Sequence, residues 1–231
     1  MENAELLKED ERTSVFGGEA SVGPVVVKTM RVDRLKDRAS AVLGRTRLMR
    51  QWDGWEVLRP HGIESPDCYA LVRDGDVETL VMRRVWGKTL LRHIEECGSD
   101  LVTRRKLCGV VADFLDSLEH PDAFLRDGKP SNLIVSDDFQ HLWAIDTVDV
   151  RRGAKPEDRL KQFAMLLIEP IGLGHSVAHT DRLRVLRDLF ALTVLPISEE
   201  WDTGWKKNWR AVEKIIEAHD DPRVREKLTK R

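Results

Sequence analysis

The hydrophobic periodicity changes from strand-like to helical along the chain, and this limits the fold more than any other feature of the sequence. Phe16-Gly17-Gly18-Glu19-Ala20-Ser21-Val22-Gly23 runs into Pro24-Val25-Val26-Val27-Lys28, a β-branched run with turn residues ahead of it, which predicts a hairpin or meander. Tyr69–Val72 and Glu78–Met82 predict two more strands, and the Asp74-Gly75 pair between them is a hairpin signal. Residues 32–58 place Leu43, Leu48, Trp52 and Trp55 at helical intervals and stop before Pro60-His61-Gly62, so one long helix, continuous or broken, is expected. Beyond a linker near Arg83–Lys88 the pattern turns helical. Leu107, Val110, Val111, Phe114, Leu115 and Leu118 recur every three or four residues as one buried stripe. A loop from Phe124 to Ser131, short strands at Leu133–Val135 and Leu142–Ile145, and helices near 157–168, 180–192 and 205–218 complete the reading.

A chain of 231 residues can bury a good core but is small for two lobes sharing a cleft. Its 41% hydrophobic and 34% charged residues are those of a globular protein. No stretch approaches the roughly 20 uncharged apolar residues that cross a bilayer, so no transmembrane segment is expected. The start, Met1-Glu2-Asn3-Ala4-Glu5, has neither a basic nor an apolar region of a secretory signal, which predicts a cytoplasmic protein. Cys68, Cys97 and Cys108 are odd in number and form no metal-type spacing; free thiols in a reducing compartment are expected. With 38 basic and 40 acidic residues the bulk charge gives no case for nucleic-acid binding, and any anionic partner must be held by local patches.

The segment Phe124-Leu125-Arg126-Asp127-Gly128-Lys129-Pro130-Ser131-Asn132, followed by Ala144-Ile145-Asp146, carries the chemistry. It puts a carboxylate in a loop, a cation two residues on, an amide five residues on, and a second carboxylate after the next strand pair. Phosphoryl transfer needs such a set: a carboxylate to orient an attacking hydroxyl and accept its proton, and oxygen ligands to hold Mg²⁺ on phosphates. Asp127 suits the first task, Asn132 and Asp146 the second. Alone, Asp127-Gly128 is an ordinary turn and Lys28 an ordinary strand lysine; the combined spacing outweighs that plainer account.

These residues resemble the catalytic loop of protein kinases, His-Arg-Asp-Leu-x-x-x-Asn, and its metal-binding Asp, with Arg126-Asp127, Lys129, Asn132 and Asp146 in matching places. Val25-Val26-Val27-Lys28 is similar to the third-strand lysine that holds the α- and β-phosphates. Within that superfamily, Gly23–Lys28, Trp52 with Gly62-Ile63-Glu64-Ser65-Pro66, Gly87-Lys88-Thr89-Leu90-Leu91, Ile145–Val150 and Asp181–Arg187 together resemble the bacterial lipopolysaccharide core kinases, which phosphorylate heptose or Kdo sugars. The resemblance covers roughly residues 12–195. It implies an α+β, two-lobed kinase-like domain over 1–231, with a sheet-rich N-lobe of about 1–84 carrying one long helix, a linker at about 83–88 and a helical C-lobe of about 89–231. It also implies an ATP- and Mg²⁺-dependent sugar kinase working on an acidic glycolipid at the cytoplasmic face of the inner membrane, with peripheral contact to that membrane. Adenine would contact the linker at Met82–Val85, Gly18 would belong to a phosphate-covering glycine loop, Lys28 would hold the phosphates, and Lys129 would stabilise the transferring charge.

The departures are also informative. Leu125 stands where the loop usually has His, Gly128 where it has Leu, and Asp146-Thr147-Val148 where kinases have Asp-Phe-Gly. Regulation by a Phe/Gly flip is therefore not expected. No acidic residue lies between Leu43 and Gln51 to pair with Lys28, leaving Asp37, Asp53 or Glu56 as substitutes. Arg104-Arg105 and Lys206-Lys207 read as solvated faces, whereas Arg151-Arg152 lies close enough to the metal-binding segment to touch an acidic acceptor. His175 and His179 lack a third ligand for zinc. The seven Trp residues read as core anchors, with Trp201, Trp205 and Trp209 in one helical stripe. A glycolipid kinase is the reading of choice, because no Ala-Pro-Glu and little chain follow Asp146 for docking a peptide. A minimal protein Ser/Thr kinase and a non-catalytic pseudokinase are the alternatives.

Overall fold

The computed structural model describes residues 2–118, 123–148, 150–153, 156–175, 177–178, 180–185, 201–219 and 222–224. The β-branched runs build a five-stranded antiparallel sheet in the order β1 (Glu2–Glu9), β2 (Thr13–Ala20), β3 (Gly23–Arg31), β5 (Val77–Arg83), β4 (Cys68–Asp74). Lys28 lies in the central strand, opposite Val15 on one side and Leu80 on the other. The expected β2–β3 and β4–β5 hairpins are present, the second turning at Gly75 with φ +55°. Strand β1 had no sequence signal, since Glu2-Asn3-Ala4-Glu5-Leu6-Leu7-Lys8-Glu9 has no clean alternation.

Residues 32–58 form the broken version of the expected helix, as α1 (Leu35–Val42) and α2 (Arg47–Leu58). Gly44, at φ +65°, ends the first, and Thr46 caps the second, its Oγ1 accepting from the Met49 N–H at 3.2 Å and donating to the buried Glu78 carboxylate at 2.6 Å. Only α2 faces the core. It buries Leu48, Gln51, Trp55 and Leu58 at helical spacing, whereas α1 buries nothing. A small cluster of Leu48, Trp55, Cys68, Leu80 and Met82 joins α2 to the sheet.

The rest of the chain carries β6 (Lys88–Thr89), α3 (Leu90–Glu96), α4 (Leu101–Ser117), β7 (Phe124–Leu125), a 3-10 turn (Pro130–Asn132), β8 (Leu133–Val135), β9 (Leu142–Ala144), β10 (Val150–Arg151), α5 (Pro156–Leu173) and α6 (Trp201–Glu217). β8 pairs antiparallel with β9 and with β6, and β7 pairs with β10. The large core gathers Leu118, Leu133, Val135, Ala164 and Val212, none more than 1% exposed. Residues 180–185 of the predicted 180–192 helix are helical; the remainder lies outside the described residues, as do His179 and the side chains of Trp201 and Trp205. Trp209 is buried as expected. Arg104 proves structural: its guanidinium meets Asp181 at 2.7 Å, tying α4 to that helical segment. His175 faces Glu95 at 3.4 Å. The three cysteines are free, and burial pushes the Cys68 thiol up to about 12. Among the described residues no helix is long and apolar enough to cross a membrane.

Candidate active site

The loop from Leu125 to Asn132 is positioned by α5. Leu125, 2% exposed, packs into the core and its N–H donates to Gln162 Oε1 at 3.0 Å. Ser131 donates from its N–H and its hydroxyl to the two Glu169 carboxylate oxygens, at 2.8 and 2.7 Å. Gln162 and Glu169 are seven residues apart and so share one face of a helix that is otherwise apolar there. That pair, Gln162 and Glu169, set among the apolar residues of Leu160–Ile171, was the signal available for finding the brace. Gly128 sits so close to it that a Cβ would lie 2.1 Å from Gln162 Nε2. Leucine has no room here while Gln162 keeps this position.

Within the loop, the Asn132 amide nitrogen donates to the Asp127 carboxylate at 3.0 Å and to the Asp127 carbonyl at 2.9 Å. Lys129 Nζ lies 3.3 Å from the other Asp127 oxygen. The Asn132 carbonyl accepts from the Ile145 N–H at 3.0 Å, which brings Asp146 to the same place. Asp146 is only 12% exposed; its Oδ2 accepts from Arg47 at 2.9 Å, while its Oδ1 is buried without a hydrogen-bond partner among the described residues. With its nitrogen committed to Asp127, Asn132 has Oδ1 as the atom for a cation. An orphaned carboxylate oxygen and an amide oxygen form a donor set that fits a hard divalent cation.

Lys28 reaches this point from the sheet. Its Nζ donates to Gln51 Oε1 at 3.0 Å and to the Ile145 carbonyl at 3.3 Å. Gln51, 2% exposed, donates in turn to the Ile145 carbonyl at 3.0 Å and to Met82 Sδ at 3.3 Å. Its own carbonyl accepts from Thr147 Oγ1 at 2.7 Å. The helix partner of Lys28 is therefore an amide, and none of the three expected carboxylates takes that place. Asp37 bonds Arg12, and Asp53 and Glu56 lie on the exposed face of α2.

The glycines do not form the expected loop. Gly17 and Gly18 are inside β2, opposite Val26 and Val25, because the hairpin turn falls later, at Ser21-Val22. The turn beside α2 is Asp10–Arg12, which has no glycine and in which the Asp10 carboxylate accepts from the Arg12 and Thr13 N–H groups at 3.0 and 2.8 Å. Those two bonds hold the Asp10 carboxyl below the usual carboxylate range. At the linker, Met82 is turned into the cluster with α2 at 3% exposure, Val85 is half-buried, and the Arg84 guanidinium stacks 4.3 Å from the exposed Trp86 ring. Arg151 stacks on Phe124 at 5.0 Å.

The sequence matches no protein-family model and no curated protein. Among solved structures the chain is similar to the bifunctional kinase-methyltransferase WbdD. At 2.2 Å resolution that protein gives a TM-score of 0.57 with 19% identity over 90% of this chain and 50% of the other. A medium-resolution structure gives 0.56 with 19% identity over 89% and 47%, and a complex with the kinase inhibitor LY294002 gives 0.54 with 19% identity over 89% and 49%. The chain has a kinase-like fold. It spans about half the length of these structures.

Where the sequence departs from the kinase pattern, the structure holds the departing residues by contacts of its own. Leu125, at the position where the pattern has His, packs into the core, and its N–H is held by Gln162. Thr147, at the position where the pattern has Phe, is tied to α2 through its hydroxyl. Lys28, surrounded by protein and lacking a helix carboxylate, has its pKa pushed below the ordinary lysine value by desolvation, with Asp146 opposing the shift. Because the unfolded chain keeps this proton to a higher pH, the ligand-free protein gains stability as pH rises from the lowered value toward 10.5. Urea unfolding of the wild type and of Lys28→Met between pH 7.5 and 9.5 checks this: the wild type is expected to close on the variant as pH rises, and a constant gap would count against a depressed Lys28.

Proposed function

We propose that the chain is an ATP-dependent phosphotransferase whose acceptor is a sugar hydroxyl on an acidic glycolipid of the lipopolysaccharide inner-core type. The observation that carries this reading is the chain of hydrogen bonds from Lys28 to the Ile145 carbonyl, from the Ile145 N–H to the Asn132 carbonyl and from the Asn132 side chain to Asp127, which gathers these residues beside Asp146, the next residue after Ile145. The kinase fold of the similar structures supports it. Residues of about 1–84 and 89–231 act as two lobes about the linker, with adenine against Met82–Val85 and the phosphates at Lys28. Asn132 and Asp146 would hold Mg²⁺, which when bound neutralises charge on the phosphates. Asp127 orients the acceptor hydroxyl and takes its proton as the new P–O bond forms and the bond to ADP breaks; Lys129 stabilises the charge on the moving phosphoryl group. Only residues 147–155 separate Asp146 from α5, which favours a small acceptor over a docked peptide.

The test is ATP turnover by the purified protein with Mg²⁺, with and without extracted lipopolysaccharide core, and with Asp146→Ala as control. Phosphate is expected on the glycolipid, with the variant lower by at least about 100-fold. Autophosphorylation or peptide turnover alone would favour a minimal protein kinase. A pseudokinase is the reading favoured by Gln51 in place of a carboxylate and by Arg47 on Asp146, and nucleotide binding without any transfer would establish it.

A further inference from the structure

Helix α2 brings two side chains to the Asp146 end of this site. Arg47 and Gln51 are four residues apart and share a face; Gln51 takes Lys28, and Arg47 takes Asp146 Oδ2 at 2.9 Å. The start of α2 is anchored by Thr46, tied to the buried Glu78, while the Arg47 side chain is 56% exposed and free to swing about that fixed base. On its other side Arg47 borders an open cleft of mixed charge, lined by Lys36, Arg45 and Arg50 and by Asp10, Glu11 and Asp37.

Building on the ATP·Mg²⁺ reading above, we infer that Arg47 is a phosphate-binding residue, parked on Asp146 in the ligand-free chain and passed to the nucleotide phosphates when a divalent cation takes that carboxylate. The first argument is competition. A cation on Asp146 repels a guanidinium on the same carboxylate, and the exposed Arg47 can leave without unfolding anything. The second is the missing backbone cradle. The N–H groups of Arg12 and Thr13 in the turn beside α2 already bond the Asp10 carboxylate, and the glycines lie within a strand, so side-chain cations must supply what amides would. The third is charge. Lys28, Arg47 and Lys129 set against Asp127 and Asp146 leave a surplus of one positive charge, whereas a carboxylate at position 51 and a neutral residue at 47 would leave one negative charge. A surplus of positive charge suits a nucleotide triphosphate approached by an acidic acceptor. An arginine fork also matches two phosphate oxygens at once, which lysine cannot do.

The experiment uses the full chain and two probes that need no turnover: Mn²⁺ alone, followed by electron paramagnetic resonance, and Mg·ATP, followed by calorimetry. Wild type, Arg47→Ala and Arg47→Gln are compared after thermal melts show unchanged folding. Removing the competitor is expected to tighten Mn²⁺ binding about threefold, as for a partly exposed pair. Losing the phosphate contact is expected to weaken Mg·ATP binding about tenfold. These opposite shifts in both variants support the inference, and any other pairing overturns it. A wild type that binds no nucleotide would overturn the kinase reading itself; a wild type that binds nucleotide while both variants bind equally well overturns the role of Arg47 alone.

Discussion

Replacing Asp127 by alanine is expected to lower phosphoryl transfer by about 10³-fold, or about 4 kcal/mol of transition-state stabilisation, while changing ATP affinity less than about twofold. The asymmetry follows from where the carboxylate points. It is 39% exposed and contacts Asn132 and Lys129, not Lys28, so its removal leaves the phosphate anchor intact. The cost to folding is small, because the Asn132 amide still has the residue 127 carbonyl to bond at 2.9 Å. Asp127→Asn separates proton transfer from mere positioning, since it keeps an oxygen for Asn132 and cannot take a proton. Equal losses in both variants locate the effect in proton acceptance, and a smaller loss in Asp127→Asn assigns the difference to orientation of the hydroxyl. Retained turnover together with weakened ATP binding would remove Asp127 from the chemistry and place it at the nucleotide.

The clustering of Asp127, Lys129 and Asn132 was legible in the sequence because they sit in one short loop, where spacing along the chain is nearly spacing in space. Asp146 follows after one strand pair, and the Asn132–Ile145 hydrogen bond closes that short excursion. The strands around Lys28 were readable for the same local reason, from β-branched residues and the Asp-Gly turn. What escaped the reading depends on long-range contacts. Gln51 meets Lys28 across 23 residues and Arg47 meets Asp146 across 99, and nothing local to either marks it as part of a site. An amide in place of an acid is also invisible to a search for an acid. The glycines misled for a different reason. A Gly-Gly pair signals a turn locally, but Gly17 and Gly18 lie within β2, paired with Val26 and Val25, and the Arg84 guanidinium packs over Gly17 where a Cβ would come 2.5 Å from Nη1. The break between α1 and α2 was written at Gly44 and Thr46, a C-terminal glycine followed by a capping residue, and the apolar spacing across it concealed its place.

Gly54→Ala is expected to lower the melting temperature by about 5 °C and to reduce transfer activity with it, although alanine is the better helix former by about 1 kcal/mol. The sign is decided by contact. An alanine Cβ at position 54 would lie 1.8 Å from the Thr147 carbonyl oxygen and 2.9 Å from its carbon, both backbone atoms that cannot rotate away. Either α2 or the Asp146-Thr147 segment must retreat by more than an ångström, at a cost of about 3 kcal/mol that exceeds the gain in helix propensity. The retreat also stretches the Thr147–Gln51 hydrogen bond of 2.7 Å and draws Gln51 away from Lys28, so the damage reaches the site without touching a reacting group. Thr147→Val is the companion variant: it removes that hydrogen bond with little change in volume and should cost about 1 kcal/mol, with a smaller loss of activity. A melting temperature that rises in Gly54→Ala would mean that α2 and the Asp146 segment are not in direct contact, and the account of Gln51 as the fixed partner of Lys28 would fall with it.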